Sequence, residues 1–181
     1  MKIQEIPVTD SPCNDAFEAI VEVYFQTQGY ITSAGKWFWV WESGKQQRGY
    51  QDIDVLAING VETIIVSATS NLDDKLNIKG GAANNQKLDK LKGYFVRVHE
   101  YLCLVEQYKW MVSEARKVRY VVAYNHAFQT TLTPISESLR NAQIDILSAK
   151  DMLRNLAEHT MQPNLKIQNQ LLRTIQLIGK N

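Results

Sequence analysis

The chain has 181 residues, 45% of them hydrophobic, a size and composition that suit one domain with a genuine core. With 20 Lys+Arg against 19 Asp+Glu the charges nearly cancel, which excludes a generally basic nucleic-acid binder and requires any phosphate-binding surface to be local. No run is long and apolar enough for a membrane span, no basic-then-apolar leader opens the chain, and Cys13, Cys103, His99, His126 and His159 show no metal-ligand spacing, so we expect a soluble cytoplasmic protein with free core thiols.

Residues 14 to 28 read as an amphipathic helix, with Phe17, Ile20, Val21, Tyr24 and Phe25 on one stripe and Gly29 as its stop. Glu18 and Glu22 form an i,i+4 like-charge pair best read as a solvated face. A short strand is expected over 30 to 33 and a stronger one over 37 to 41, where Trp37, Trp39 and Trp41 alternate onto one face. Such a stripe is more often core packing beneath a helix than a platform for nucleic-acid bases. The following polar connection carries Lys45 and Arg48, which are candidate phosphate contacts.

The most informative segment is 50 to 69. Two apolar, β-branched runs, 53 to 58 and 61 to 66, flank Asn59-Gly60, the dipeptide suited to a two-residue type I′ hairpin turn. That turn would set Ile58 opposite Val61, Asp54 opposite Ile65 and Asp52 opposite Ser67. Because side chains alternate along a strand, Asp52, Asp54, Ser67 and Thr69 then project from one face near the open end of the hairpin. Asp54 and Ser67 become diagonal neighbours, roughly 7–8 Å apart.

Past the hairpin, 71 to 85 is rich in Asn, Asp, Lys and Gly and reads as a long loop bordering a functional site. A helix is expected from 86 to 105 and onward to 117, with a break near Gly93 or Tyr108. The run 118 to 124 is a strand for parallel pairing beside the hairpin. Thr133-Pro134 would open a short helix with Pro at its first position, 144 to 147 is a last strand, and Ser148 to Asp151 caps a helix over 149 to 159. A final amphipathic helix over 165 to 178 would cover the core or pair with a second copy.

The segment from Asp52 to Thr69 resembles the core hairpin of the PD-(D/E)xK, or restriction-endonuclease-like, nuclease superfamily. There an Asp ends the first strand and Glu-x-Lys lies in the second. Asp54 matches the first element, whereas Ser67-Ala68-Thr69 stands where Glu-x-Lys belongs. The resemblance implies an α/β fold with a restriction-endonuclease-like core, a mixed central sheet with an antiparallel hairpin flanked by helices, spanning 1 to 160 and extended by 161 to 181. It also implies a Mg²⁺ site at Asp54 and Asp52, with Glu18 or Glu22 of the first helix as further ligands. Lys87 or Lys90 of the helix after the hairpin would replace the absent lysine.

Such sites use two carboxylates to hold the metal, which acidifies a water, and a lysine to orient it. The neutral hydroxyls of Ser67 and Thr69 do neither task. Three readings follow: a catalytically impaired nuclease-superfamily domain that binds nucleic acid, DNA first, or a partner protein; an active Mg²⁺-dependent endonuclease with relocated catalytic residues; and a non-enzymatic scaffold that forms a homodimer.

Overall fold

The computed structural model describes residues 2–5, 16–41, 47–76, 84–161 and 169–179. Six strands make one mixed sheet in chain order. They are β1 (Lys2–Glu5), β2 (Ile31–Trp41), β3 (Gln47–Ile58), β4 (Glu62–Asn71), β5 (Lys117–His126) and β6 (Ile144–Ser148). The first four pair antiparallel, and β4, β5 and β6 run parallel. The fold is therefore α/β with a mixed sheet. The strand β1, on the outer side of β2, had no counterpart in the sequence reading.

Helices cover both faces. On one, α2 (Leu72–Leu76), α3 (Asn85–Leu104) and α4 (Gln129–Asn141) bury Leu72, Leu76, Phe95, Val98, Ile135 and Leu139 against Leu56, Ile65 and Val122. On the other, α1 (Ala16–Thr27) and α5 (Ala149–Thr160) bury Val21, Phe25 and Met152 against Val55, Ile64, Val66 and Val121. The last helix, α6 (Gln170–Gly179), seats Leu172 beside Val23 and Leu156, so its apolar stripe covers the chain's own core. Among the described residues no helix is long and apolar enough to cross a membrane.

Several boundaries follow the expected chemistry. Gly29, at φ +84°, ends α1 with the Tyr30 N–H donating to the Phe25 carbonyl at 3.1 Å. Ser148 caps α5, accepting the Asp151 N–H at 3.0 Å. The two strand pieces read over 30 to 33 and 37 to 41 form the single strand β2, Ile31–Trp41.

Other boundaries moved. Within 71 to 85 lies a short helix, α2, whose Asp73 amide donates to Asn71 Oδ1 at 3.0 Å. The helix α3 runs unbroken through Gly93 and ends at Leu104; a single 3₁₀ turn, Lys109–Val112, follows. The helix α4 begins at Gln129, so Pro134 lies inside it rather than at its first position. The reason is a cap supplied from outside: the Asp73 carboxylate accepts the Phe128 N–H at 2.8 Å and the Thr131 hydroxyl at 2.5 Å. Cys103 is exposed, not a core thiol. The buried stripe of α3 runs through Leu91, Tyr94, Phe95, Val98, Tyr101 and Leu102, which turns position 103 outward. Cys13 lies outside the described residues.

Candidate functional site

The turn between β3 and β4 differs from the type I′ expectation. Ile58 pairs with Thr63, not Val61. Asn59 closes the turn through its side chain, Oδ1 accepting the Val61 and Glu62 N–H groups at 2.9 Å each, while its own N–H donates to the Glu62 carbonyl at 3.1 Å. Such an Asx turn leaves Asn59 and Gly60 outside the left-handed region; among the described residues only Gly29, Gly35 and Gln143 have positive φ. The register is thus shifted by two. An even shift keeps each side chain on its face, and it moves Ser67 from the diagonal of Asp54 to the position across from it.

At that position the ladder opens. Pairing between β3 and β4 ends at Val55 and Val66. Beyond it the Asp54 carboxylate turns into the gap, Oδ2 accepting the Ala68 N–H at 2.7 Å. Tyr94 of α3 fills the rest: its hydroxyl accepts the Asp54 N–H at 3.2 Å and donates to the Val66 carbonyl at 3.2 Å. Two main-chain groups freed by the diverging strands are satisfied by one phenol, which is why a tyrosine suits this position of α3.

A second irregularity aims the site. Ala34 pairs with Val55 and Lys36 with Ile53, which leaves Gly35, at φ +65°, across from Asp54. Val55 packs in the α1-side core, whereas Ile53 and Leu56 both pack in the α3-side core. Strict alternation would have kept 53 with 55. The strand pair therefore twists through a face change at Gly35 and Asp54, a conformation glycine permits on β2.

Asp54 is 9% exposed, and its carboxyl is pushed up to about 7. Burial is the largest cause and the negative charge of Asp52 the next. The Ala68 N–H and the charge of Lys75 on α2 oppose the rise, and Glu18 adds to it. Burial likewise holds the Tyr94 phenol well above its ordinary range, with Asp54 contributing. Ser67 is fully buried, and its Oγ has no hydrogen-bond partner. Thr69 is half-buried and donates to the Asn71 carbonyl at 3.2 Å.

The acidic pair of α1 divides. Glu18 is half-buried, and its charge contributes, as the smallest of the named causes, to the rise at Asp54 and Tyr94. Glu22 turns toward β2 instead and accepts the Thr32 hydroxyl at 2.9 Å. Lys87 and Lys90 lie on the first turns of α3, half-buried and exposed respectively. The lysine whose charge is felt at Asp54 is Lys75, which the sequence reading missed; Tyr94 and Asp73 were missed too. A lysine three residues past Leu72 carried no periodic signal that would have singled it out. Lys45 lies outside the described residues, as does the side chain of Arg48.

Among the described residues no three His, Cys, Asp or Glu side chains converge. Position 67 offers a neutral, fully buried hydroxyl, and one Asp54 oxygen is already engaged with a main-chain N–H. Mg²⁺ takes near-octahedral oxygen ligation from one or two carboxylates plus water or phosphate, and here Asp54 and Asp52 are the carboxylates at hand while position 67 adds no anionic ligand.

Of the aromatic stripe of β2, Trp37 has a described side chain. The core side is taken by Phe38, fully buried and stacked on Tyr101 with ring centres 4.3 Å apart. Trp37 points the other way, half-buried, with its ring 4.5 Å from that of Tyr50, which is 59% exposed. Trp37 pairs with Asp52 across the ladder, so this aromatic pair adjoins the aspartates. The side chains of Trp39 and Trp41 lie outside what is described. No family model, no curated protein and no solved structure matches this chain.

Proposed function

We propose that the chain is a divergent PD-(D/E)xK-type domain that has lost its cutting chemistry and binds nucleic acid beside Asp54. The carrying observation is the open end of the β3–β4 hairpin. Asp54 sits buried there with Asp52 and Glu18 within electrostatic reach, while Ser67 and Thr69 stand where an acid and a lysine would serve hydrolysis. The element order around it, a first helix, an antiparallel sheet section, then parallel strands joined by helices, supports a restriction-endonuclease-like core.

Nucleic acid is favoured over a protein partner by two local features. Lys75, Lys87, Lys90 and Lys92 lie on α2 and the first turns of α3, beyond the end of β4, interleaved with Asp73, Asp74 and Asp89, the last of which pairs with Lys92 at 3.7 Å. The Trp37 and Tyr50 rings offer an apolar face to an unpaired base, a contact worth about 1–3 kcal/mol per base.

The test pairs cleavage with binding. Single- and double-stranded DNA and RNA are incubated with Mg²⁺ and with Mn²⁺, and affinity is titrated across salt concentration. We expect no turnover and salt-dependent binding that weakens in Trp37→Ala and Tyr50→Ala. Turnover abolished by Asp54→Ala overturns the inactive reading and favours the second one, an enzyme with relocated groups, for which the charge of Lys75 at Asp54 is the supporting observation. A dimer in solution without any salt-dependent affinity favours the scaffold reading instead.

A further inference from the structure

At the end of the sheet opposite Asp54, where the amino ends of β4, β5 and β6 meet the carboxyl end of α1, a cleft of about 270 Å³ opens. Ile64 and Val121 line its apolar side. Tyr24, Phe25 and Tyr30 add rings packed edge to face, with centres 5.3 Å apart for Tyr24 and Phe25 and 5.5 Å for Phe25 and Tyr30. Arg119 and Asp145 make its polar side, and Gln28 is an exposed lining residue.

The polar groups there are only partly committed. Arg119 donates from Nε and Nη2 to a single oxygen of Asp145, Oδ2, at 3.0 and 2.7 Å, which leaves Asp145 Oδ1 without a partner among the described residues. Arg119 Nη1 makes no hydrogen bond among them and lies 3.7 Å from Glu62, which accepts the Tyr30 hydroxyl. The Gln28 side chain is likewise without a bond among the described residues. One ion pair therefore presents an open acceptor and an open donor beside aromatic rings. Because both signs of charge stand at that end, an anion meets Asp145 and Glu62, and a cation meets Arg119. A neutral planar heterocycle whose edge carries an N–H next to an acceptor atom satisfies both groups at once and lays its faces on the rings. Nucleobases have such an edge. The volume falls just below the roughly 300 Å³ at which pockets for drug-sized ligands begin, which suits a base or a nucleoside.

We infer that this cleft binds a nucleobase, whose N–H donates to Asp145 Oδ1, whose acceptor takes the Arg119 Nη1 proton, and whose ring rests against Tyr24 and Tyr30. The site is at the far end of the sheet from Asp54 and does not rest on the reading of that end. The base arrives either as a free nucleoside or at the end of a nucleic-acid strand, and the ligand series distinguishes the two.

Calorimetric titration of the full chain with adenosine should show saturable binding. The dimethylamino analogue of adenosine keeps the rings and loses the amino N–H groups, and it should bind about tenfold more weakly. Benzoate and benzamidine, planar and oppositely charged, should both bind more weakly than adenosine. Asp145→Ala should lower adenosine affinity about tenfold and leave the dimethylamino analogue unchanged. Gln28→Trp, at an exposed position, should block both ligands, and Trp37→Ala should affect neither. Unfolding midpoints show that each variant is folded, and the ligand comparison on the unaltered chain decides the matter without any variant. Adenylyl-adenosine binding more weakly than adenosine identifies a free nucleoside as the source; binding at least as tight identifies a strand end. Absence of adenosine binding, the dimethylamino analogue binding as tightly as adenosine, either charged ring binding more tightly, or affinity indifferent to Asp145→Ala would each overturn the inference.

Discussion

Replacing Asp54 by Asn tests the electrostatic account of the site directly. The carboxyl is raised from 3.8 to about 7, so the folded chain holds that proton more strongly than the unfolded one. Between those two pH values the native state binds more protons, and stability falls as pH rises through the window. Above about 7 the cost of an ionised, buried Asp54 is fully present; below 3.8 it is absent. The gap of about three pH units corresponds to about 4 kcal/mol at 1.36 kcal/mol per unit, and relaxation around the charge brings the expected value to about 2–4 kcal/mol.

Asn is nearly isosteric, cannot ionise, and its amide oxygen can still accept the Ala68 N–H. The difference in unfolding free energy between Asp54→Asn and wild type should therefore be close to zero near pH 4 and grow to about 2–4 kcal/mol in favour of Asn at pH 8. Urea unfolding at half-unit steps measures it, and groups common to both proteins cancel in the difference. A flat difference, or a wild type more stable than the Asn variant at pH 8, would refute the reasoning. Stabilisation of the wild type alone by Mg²⁺ at pH 8 would show that the carboxylates do gather around a metal.

Tyr94→Phe removes the hydroxyl that serves both the Asp54 N–H and the Val66 carbonyl; we expect a loss of about 2–3 kcal/mol and faster hydrogen exchange at the Asp54 amide. Unchanged exchange would mean that the strands close when the phenol leaves. Ser67→Ala deletes a buried hydroxyl without a partner and should be neutral or stabilising by about 1 kcal/mol in thermal unfolding, whereas a clear loss would reveal a hidden partner. Asp73→Ala strips the external cap from α4 and should cost about 1–2 kcal/mol, with exchange rising first at Phe128 and the following amides. Uniform protection along α4 would contradict the capping role.

Much of the local structure was legible because it obeys short-range rules. Apolar period 3.6 marked α1 and α3, β-branched runs marked β3, β4 and β5, and Ser148 with Asp151 marked the start of α5. Parity placed Asp54 and Ser67 on one face, and the even register error left that unchanged, whereas the face change at Gly35 and Asp54 broke the alternation that had grouped Asp52 with them. What failed was non-local. Whether Asn59 closes a turn with its backbone or its side chain depends on the strands it joins. The start of α4 depends on Asp73, which is 55 residues from Phe128 in sequence.

The side taken by Trp37 was undetermined for a related reason. Alternation says that Trp37 and Phe38 point apart but not which one meets α3, and the packing of Phe38 on Tyr101 decides it. Composition and periodicity on their own establish an α/β chain with a hairpin joining two apolar strands, because those properties belong to consecutive residues. Only the tertiary structure brings Glu18, Lys75 and Tyr94 to Asp54 and buries its carboxylate. Desolvation and charge proximity are properties of distance in space, and spacing along the chain does not encode them.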